Sequence, residues 1–484
     1  MLADVDRTPP KVHLRINGEK LAVGSGGTYD HIYPVTGEVN ARIPLADKQE
    51  IELAVTKAHE AYQTWKRTSP GVRRQLLMKL ADLIEAHADE FARLGALDNG
   101  TPLTTGAAFP ALSTEWTRYY AGWADKITGD LTGKPDDLGE LGYTLAQPYG
   151  VVAIIITWNG PLISLAMKIP PAVAAGNTVV LKPSELTPFT GELFMDLVEQ
   201  AGFPPGVINI LPGPAEAGAQ LVSHPLVKKV SFTGGPATAT KILHACAPDM
   251  KPAVLELGGK GPMLVFEDAD LDAACQLGTA YSLIALSGQG CAFSTRMLIQ
   301  DTVYDEVVAR VKTIAENIPI GDPFDPAVAS GPVVSQAAVD RILGMIERAR
   351  EQGATVLTGG RRMDRPGYFI EPTVLVDVDP DSEIAQTEVF GPVLCLFRFS
   401  TEEEAVALAN NTRYGLASYI QTRDLNRALR VAAELEEGQV IVNNAVNLEA
   451  SRPFGGFGLS GMGKEGGREG IYEFLRIRAV GIKL

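Results

Sequence analysis

Apolar positions along this chain keep different rhythms in turn. Up to about residue 50, short strand-like pieces, HLRING and RIPLA, alternate with glycines. From Asp47 through Leu97 the period lengthens: Leu77, Leu80, Leu83, Ile84, Phe91 and Leu94 recur at the three-and-four spacing of an amphipathic helix, which predicts a helical layer. Between 150 and 257 come short β-branched runs, VVAIII (151–156), TVVLK (178–182), VINIL (207–211), KVSFTG (229–234) and AVLEL (253–257), with room for a helix in nearly every gap. That alternation predicts parallel strands with crossover helices on both faces. Such a sheet binds ligands beyond the carboxyl ends of its strands. A second alternation starts at MLVFED (263–268), runs into a helix through Leu286, and continues with helices near 303–317 and 336–352. Strands at TVLTG, TVLVDV and VLCLFRF and a helix at 402–410 complete it, predicting a second α/β domain. The segment PFGGFGLSGMGKEGG (453–467) fits neither period and is expected to be a loop over a site or an interface.

Composition narrows the class. With 484 residues, 45% of them hydrophobic, the chain can bury two or three cores. A net charge of −15, with no long run of Lys and Arg, excludes a phosphate backbone as partner, so no nucleic acid is expected. The opening MLADVDRTPPKVH carries acids and prolines where an export signal needs a basic start and an apolar stretch. No apolar run approaches the roughly 20 residues of a membrane helix, so no membrane partner is expected either. Cys246, Cys275, Cys291 and Cys395 are scattered, with no CxxC pair and no histidines at ligand spacing; neither disulfides nor a metal site is expected, and a reducing cytoplasm fits.

Five stretches carry candidate chemistry. In GQGCAFSTR (288–296), Cys291 lies between glycines and small hydroxyl residues. A lone cysteine is commonly a small core residue. Gly-Gln-Gly-Cys after an apolar helix, however, fills a core poorly and suits a nucleophilic thiol exposed at a turn. ELGGK (256–260) ends a strand with a carboxylate placed to act as a general base for water, against the plainer reading of a solvated surface turn. In ITWNGPL (156–162), the Asn159 amide suits a developing oxyanion, a contribution of roughly 3 kcal/mol where such donors have been removed from other enzymes; a cap on the next helix is the competing reading. LKPSE (181–185) offers Lys182 and Glu185 to the hydroxyls of an adenosine ribose, or else simply starts a helix. FTGGPATA (232–239) offers glycines and a helix N-terminus to a pyrophosphate, although no GxGxxG occurs.

Taken together in order, TWN (157–159), LKPSE, FTGG, ELGGK, GQGC, EVFGPVL (388–394), NNTRYGLAS (410–418) and PFGG (453–456) resemble the aldehyde dehydrogenase superfamily over nearly the whole chain. Glu256 precedes Cys291 by 35 positions, close to the family spacing. The resemblance implies an NAD-dependent oxidoreductase with a doubly wound parallel-sheet dinucleotide domain (1–128 and 148–257), a second α/β catalytic domain (258–458) and a small β bridging element (129–147 and 475–484) that makes homodimers or homotetramers. It implies that Cys291 attacks an aldehyde, that Asn159 and the Cys291 backbone N–H hold the oxyanion, and that a thioester is then hydrolysed by water activated by Glu256. Lys168 and Glu465 match a pair that relays protons from that glutamate. Lys182 and Glu185 match ligands of the adenosine ribose, with Ser184 between them on the implied cofactor surface; Glu388 matches that of the nicotinamide ribose, with Phe390 beside it. Thr157, Trp158, Gly234, Gly235 and Leu257 complete the implied cofactor surface. The phosphate turn departs from the family's Gly-Ser pattern, reading Gly234, Gly235, Pro236 and Ala237.

A carboxylate at Glu185 accepts from the 2′-hydroxyl of NAD and repels the 2′-phosphate of NADP, so NAD is the expected cofactor. The implied aldehyde tunnel is lined by Gly160, Met167, Gly290, Ala292, Leu448 and Phe454, small near the thiol and apolar beyond, which suits a bulky hydrophobic or aromatic aldehyde. Arg452 beside it would instead serve a semialdehyde carboxylate, unless it pairs with Glu449 at the surface. CoA-acylating relatives generally lack the glutamate found at Glu256, and a noncatalytic relative would be expected to have lost the site residues retained here.

Overall fold

The computed structural model describes residues 6–132, 139–444 and 448–483. Its largest sheet has eight strands, in the spatial order Gly461–Met462, Ala253–Glu256, Val227–Thr233, Val151–Ile155, Thr178–Lys182, Ile208–Ile210, Leu14–Ile16 and Glu19–Leu21. The five central strands are the five β-branched runs, and all pair in parallel. Buried on both faces, Val151–Ile154 and Thr178–Lys182 show the near-continuous apolar character of a covered parallel sheet. Helices Lys48–Trp65, Pro70–Ala86 and Ala88–Asn99 form the expected helical layer. The helix Pro161–Ala174, apolar all round apart from Ser164 and Lys168, is buried at every position.

The second sheet has seven strands, ordered Thr355–Thr358, Thr373–Val376, Val393–Phe399, Arg296–Gln300, Pro262–Val265, Ala417–Gln421 and Gln439–Val442. The first pair is antiparallel and the others parallel. Three of these strands have no counterpart in the pattern reading. Arg296–Gln300 and Ala417–Gln421 carry polar residues into a fully packed sheet, which breaks their apolar runs; Arg296, for one, is satisfied by the carbonyls of Lys260 at 2.9 Å and Ala409 at 2.7 Å.

Two expectations need correction. The helix predicted through Leu286 stops as an α-helix at Thr279 and passes through a π-turn, Ala280–Ile284, into a turn where Leu286, Ser287 and Gly288 have φ of 49°, 53° and 71°. Apolar content alone could not reveal that reversal. The segment 453–467 is largely loop, but Gly461–Met462 docks as an antiparallel edge strand on Leu255 and Glu256. A three-stranded sheet joins Leu475–Lys483 to Glu140–Pro148 in a nine-pair antiparallel register, with Leu131–Thr132 on its edge. Part of the 129–147 hairpin, residues 133–138, lies outside the described residues. Among the described residues, no helix is long and apolar enough to cross a membrane.

Candidate active site

The loops that leave the large sheet at the carboxyl ends of its strands meet the second sheet around a cavity of about 350 Å³. Thr157, Trp158 and Asn159 line it from one loop, Gly234 and Gly235 from another, and Glu256 and Leu257 from a third. Cys291, Glu388 and Phe390 face them from the second sheet's side. Thr157 and Phe390, 233 positions apart in the chain (390 − 157), thus share one space because the segments that carry them end at the same edge.

Cys291 follows the left-handed stretch 286–288, a backbone conformation that costs side-chain-bearing residues on the order of 1 kcal/mol or more each and that persists only where surrounding contacts impose it. Within that stretch Ser287 Oγ donates to the Gly331 carbonyl at 2.8 Å, and just past Cys291 the Tyr419 hydroxyl donates to the Ala292 carbonyl at 2.5 Å. Burial, then the Glu388 and Glu256 carboxylates, push the Cys291 thiol up to about 12, so the sulfur rests protonated at neutral pH. Glu256, at the tip of its strand, is 3% exposed, and among the described residues neither carboxylate oxygen has a hydrogen-bond partner. Its carboxyl is raised well above the usual range, by burial first and by Glu465 second, with Lys168 and Lys464 pulling the other way.

Asn159 does not cap the following helix, whose N-cap is Gly160. Its Nδ2 donates to the Gln289 carbonyl at 2.9 Å, which aims the amide towards the cysteine loop and leaves one of its two hydrogens uncommitted. The paired glycines of ELGGK have separate steric reasons. A Cβ on Gly258 would lie 2.0 Å from Glu388 Oε2, and one on Gly259 would lie 2.4 Å from the Cys291 carbonyl oxygen. Glu388 accepts from the Gly259 N–H at 3.0 Å, and burial raises its carboxyl to about 7, against the pull of that N–H, Lys260 and Arg341.

A thiol, an amide donor and an unpartnered carboxyl therefore face one another beside a sheet edge. The sequence profile of the aldehyde dehydrogenase family matches residues 22–480. An aldehyde dehydrogenase of Emericella nidulans is 42% identical over 475 residues, 97% of this chain and 95% of that protein. A mitochondrial aldehyde dehydrogenase of Leishmania tarentolae is 40% identical over 99% of this chain and 97% of its own length. Among solved structures, betaine aldehyde dehydrogenase from Staphylococcus aureus in complex with NAD+ superposes with a TM-score of 0.95 at 34% identity, covering 98% of this chain and 95% of that one. The chain belongs to the aldehyde dehydrogenase family.

Other residues matched to that family fall around the cavity rather than on its wall. Lys182 ends the neighbouring strand, with Nζ 3.4 Å from Glu185 Oε2. Ser184 does not start a helix: its hydroxyl accepts from Leu186 N–H at 3.3 Å, and the helix begins only at Phe189. Lys168 is buried in an ion pair with Glu465 and donates to Ser231 Oγ at 3.0 Å. Met167, Ala292 and Phe454 belong to one apolar cluster, against which Cys291 and Leu448 pack. Gly160 starts the helix that carries Met167, and a Cβ on Gly290 would strike the Phe293 ring at 2.3 Å. Arg452 pairs with Glu449 at 2.8 Å on the surface, the plainer of its two readings.

Arg341 and Tyr419 lie outside the family motifs, and Tyr414 lies within NNTRYGLAS with no role assigned to it. Arg341 lines the cavity and donates to the carbonyls of Val389 and Phe390, steadying a turn in which Phe390 has φ 48° and stands edge-on to Trp158 at 5.3 Å. On its own amphipathic helix it reads as a surface residue, and no local signal marks it.

The site also bears on a dinucleotide. The donor set at Lys182 and Glu185 suits two ribose hydroxyls, and Glu388 offers a buried carboxylate at the other end. Between them Gly235 precedes the helix Pro236–Cys246, and a Cβ there would meet nothing within 4 Å, so the turn is open to a phosphate group. These residues fit a nicotinamide dinucleotide.

Proposed function

We propose that this aldehyde dehydrogenase uses NAD to oxidise a bulky hydrophobic or aromatic aldehyde to its carboxylic acid. The observation that carries the reading is the convergence of the Cys291 thiol and the unpartnered Glu256 carboxyl on one cavity. Nicotinamide bound there supplies a hydride acceptor. The thiol is neutral at rest, so its proton must leave to solvent as sulfur adds to the carbonyl carbon. The free Asn159 hydrogen and the Cys291 N–H stabilise the oxyanion. Once hydride has left, the acyl group is held as a thioester on Cys291, and Glu256 takes a proton from the water that releases the acid. Lys168 and Glu465 hand that proton on.

Glu185 favours NAD over NADP by charge. The apolar cluster of Met167, Ala292, Leu448 and Phe454 favours a hydrophobic aldehyde, and Arg452, tied to Glu449, does not favour a semialdehyde. We place the dinucleotide domain at 1–128 and 148–257 and the catalytic domain at 258–458, with the 129–147 and 475–484 strands bridging subunits of a homodimer or homotetramer. Four free cysteines fit a reducing, cytoplasmic setting.

The deciding experiment is Glu256→Gln. A burst of NADH near one per active site should survive while steady turnover collapses, because hydride transfer precedes hydrolysis. Loss of the burst as well would remove hydrolysis as the distinctive task of Glu256. A panel that includes NADP, benzaldehyde and succinic semialdehyde tests the cofactor and substrate choices in the same assay.

A further inference from the structure

The segment 453–467 reaches the catalytic carboxyl from behind. Its edge strand pairs Gly461 with Glu256, and the chain then turns so that Lys464 and Gly455 meet beside the Glu256 side chain. Gly455, at φ 148°, fills the gap: a Cβ there would lie 2.6 Å from Glu256 Oε1 and 3.1 Å from Lys464 Cδ. Lys464 is fixed by two contacts, its ammonium donating to the Gly455 carbonyl and lying 4.6 Å over the Phe457 ring.

The charges facing Glu256 are Glu465, Lys168, Lys464 and Glu473, with the Cys291 thiol across the cavity. Two of the neighbouring cations are already matched. Lys168 is paired with Glu465, and Lys229 with Glu473 at 2.9 Å. Among the described residues Lys464 rests on a carbonyl rather than a carboxylate, so its charge is not cancelled locally. Among the described residues Glu256, for its part, has no hydrogen-bond donor to stabilise its ionised form, so a through-space cation carries unusual weight.

We propose that Lys464 is a positioning residue for the hydrolytic half of the reaction: its unmatched charge, one glycine away, favours the ionised form of Glu256 that accepts a proton from water. The inference rests on the role of Glu256 proposed above. Burial and the Glu465 carboxylate disfavour ionisation of Glu256, and Lys168 and then Lys464 oppose them; of these two cations only Lys464 is not already paired with a carboxylate among the described residues. Lys464 is not among the residues that line the cavity.

The test is the pH dependence of steady turnover and of the NADH burst in the full-length protein, with Lys464→Gln and Lys464→Arg. Lys464→Gln keeps a donor for the Gly455 carbonyl and removes the charge. Its acid limb of turnover should move to higher pH by about one unit, so that turnover on that limb falls about tenfold, while burst amplitude is unchanged. Lys464→Arg should restore the wild-type limb. A Lys464→Gln limb that coincides with the wild type, or an equal loss of burst and turnover at every pH, overturns the proposal. Should Lys464→Gln fail to fold, Lys464→Met read against Lys464→Arg carries the same expectation. Failure of the underlying reading is separately visible, because Glu256→Gln would then turn over normally whatever Lys464 does.

Discussion

At the scale of single residues, the site works by placing groups where their ordinary chemistry is inconvenient. Cys291 is a thiol in a space shared with two carboxyls, and its proton is held up to about 12 by burial and by Glu388 and Glu256. Thiolate is the alkylated form, so in the cofactor-free protein the rate of iodoacetamide labelling at Cys291 should climb about tenfold per pH unit between pH 7 and 9. Peptide mass analysis reads it directly, and a plateau below pH 8 would show a thiolate already formed at rest. Gly258 and Gly259 belong to the same scale. They look like a flexible turn in the sequence, yet each leaves room for one named neighbour, the Glu388 carboxylate and the Cys291 carbonyl. ELGGK could therefore be recognised as a motif without its physical reason being visible.

Among elements, the helix Pro161–Ala174 and the loop at 465 depend on one another. Lys168 is 1% exposed inside that helix and meets Glu465 nearly 300 positions later. Removing one partner leaves a buried charge unmatched, which typically costs about 3–5 kcal/mol, whereas replacing both with apolar residues is often nearly neutral. Lys168→Met and Glu465→Leu should each lower the unfolding temperature clearly, and the double variant should recover most of the loss, a strong coupling in a double-mutant cycle. Additive losses on calorimetry would mean that the pair does not act as a unit. The element most poorly read from sequence is the approach to Cys291. Residues 271–286 are apolar enough to be called one helix, but the left-handed reversal at 286–288 is held by the Ser287–Gly331 hydrogen bond and packed closely against Gly391.

For the molecule as a whole, two sheets supply opposite walls of one cavity, and a third, small sheet carries exposed apolar residues: Leu131 is 79% and Ile477 57% exposed. Apolar strands left uncovered invite pairing with another chain. The full-length protein should sediment as a dimer or tetramer, and Ile477→Asp should shift it towards smaller species at micromolar concentration. A monomer for the unaltered chain in analytical ultracentrifugation would contradict the bridging role assigned to these strands.

Repeating apolar patterns determined the parallel centre of the large sheet and the helical layer at 48–99, because period and β-branching are local properties that a covered strand or an amphipathic helix must display. Motif order likewise identified the family through Asn159, Glu256, Cys291 and Glu388 before their geometry was known. Only the tertiary structure decided that Arg341 faces the cavity, that Asn159 reaches for Gln289 rather than capping a helix, and that Lys464 stands behind Glu256. Each of these depends on which distant segments end at the same sheet edge, and no window of neighbouring residues contains that information.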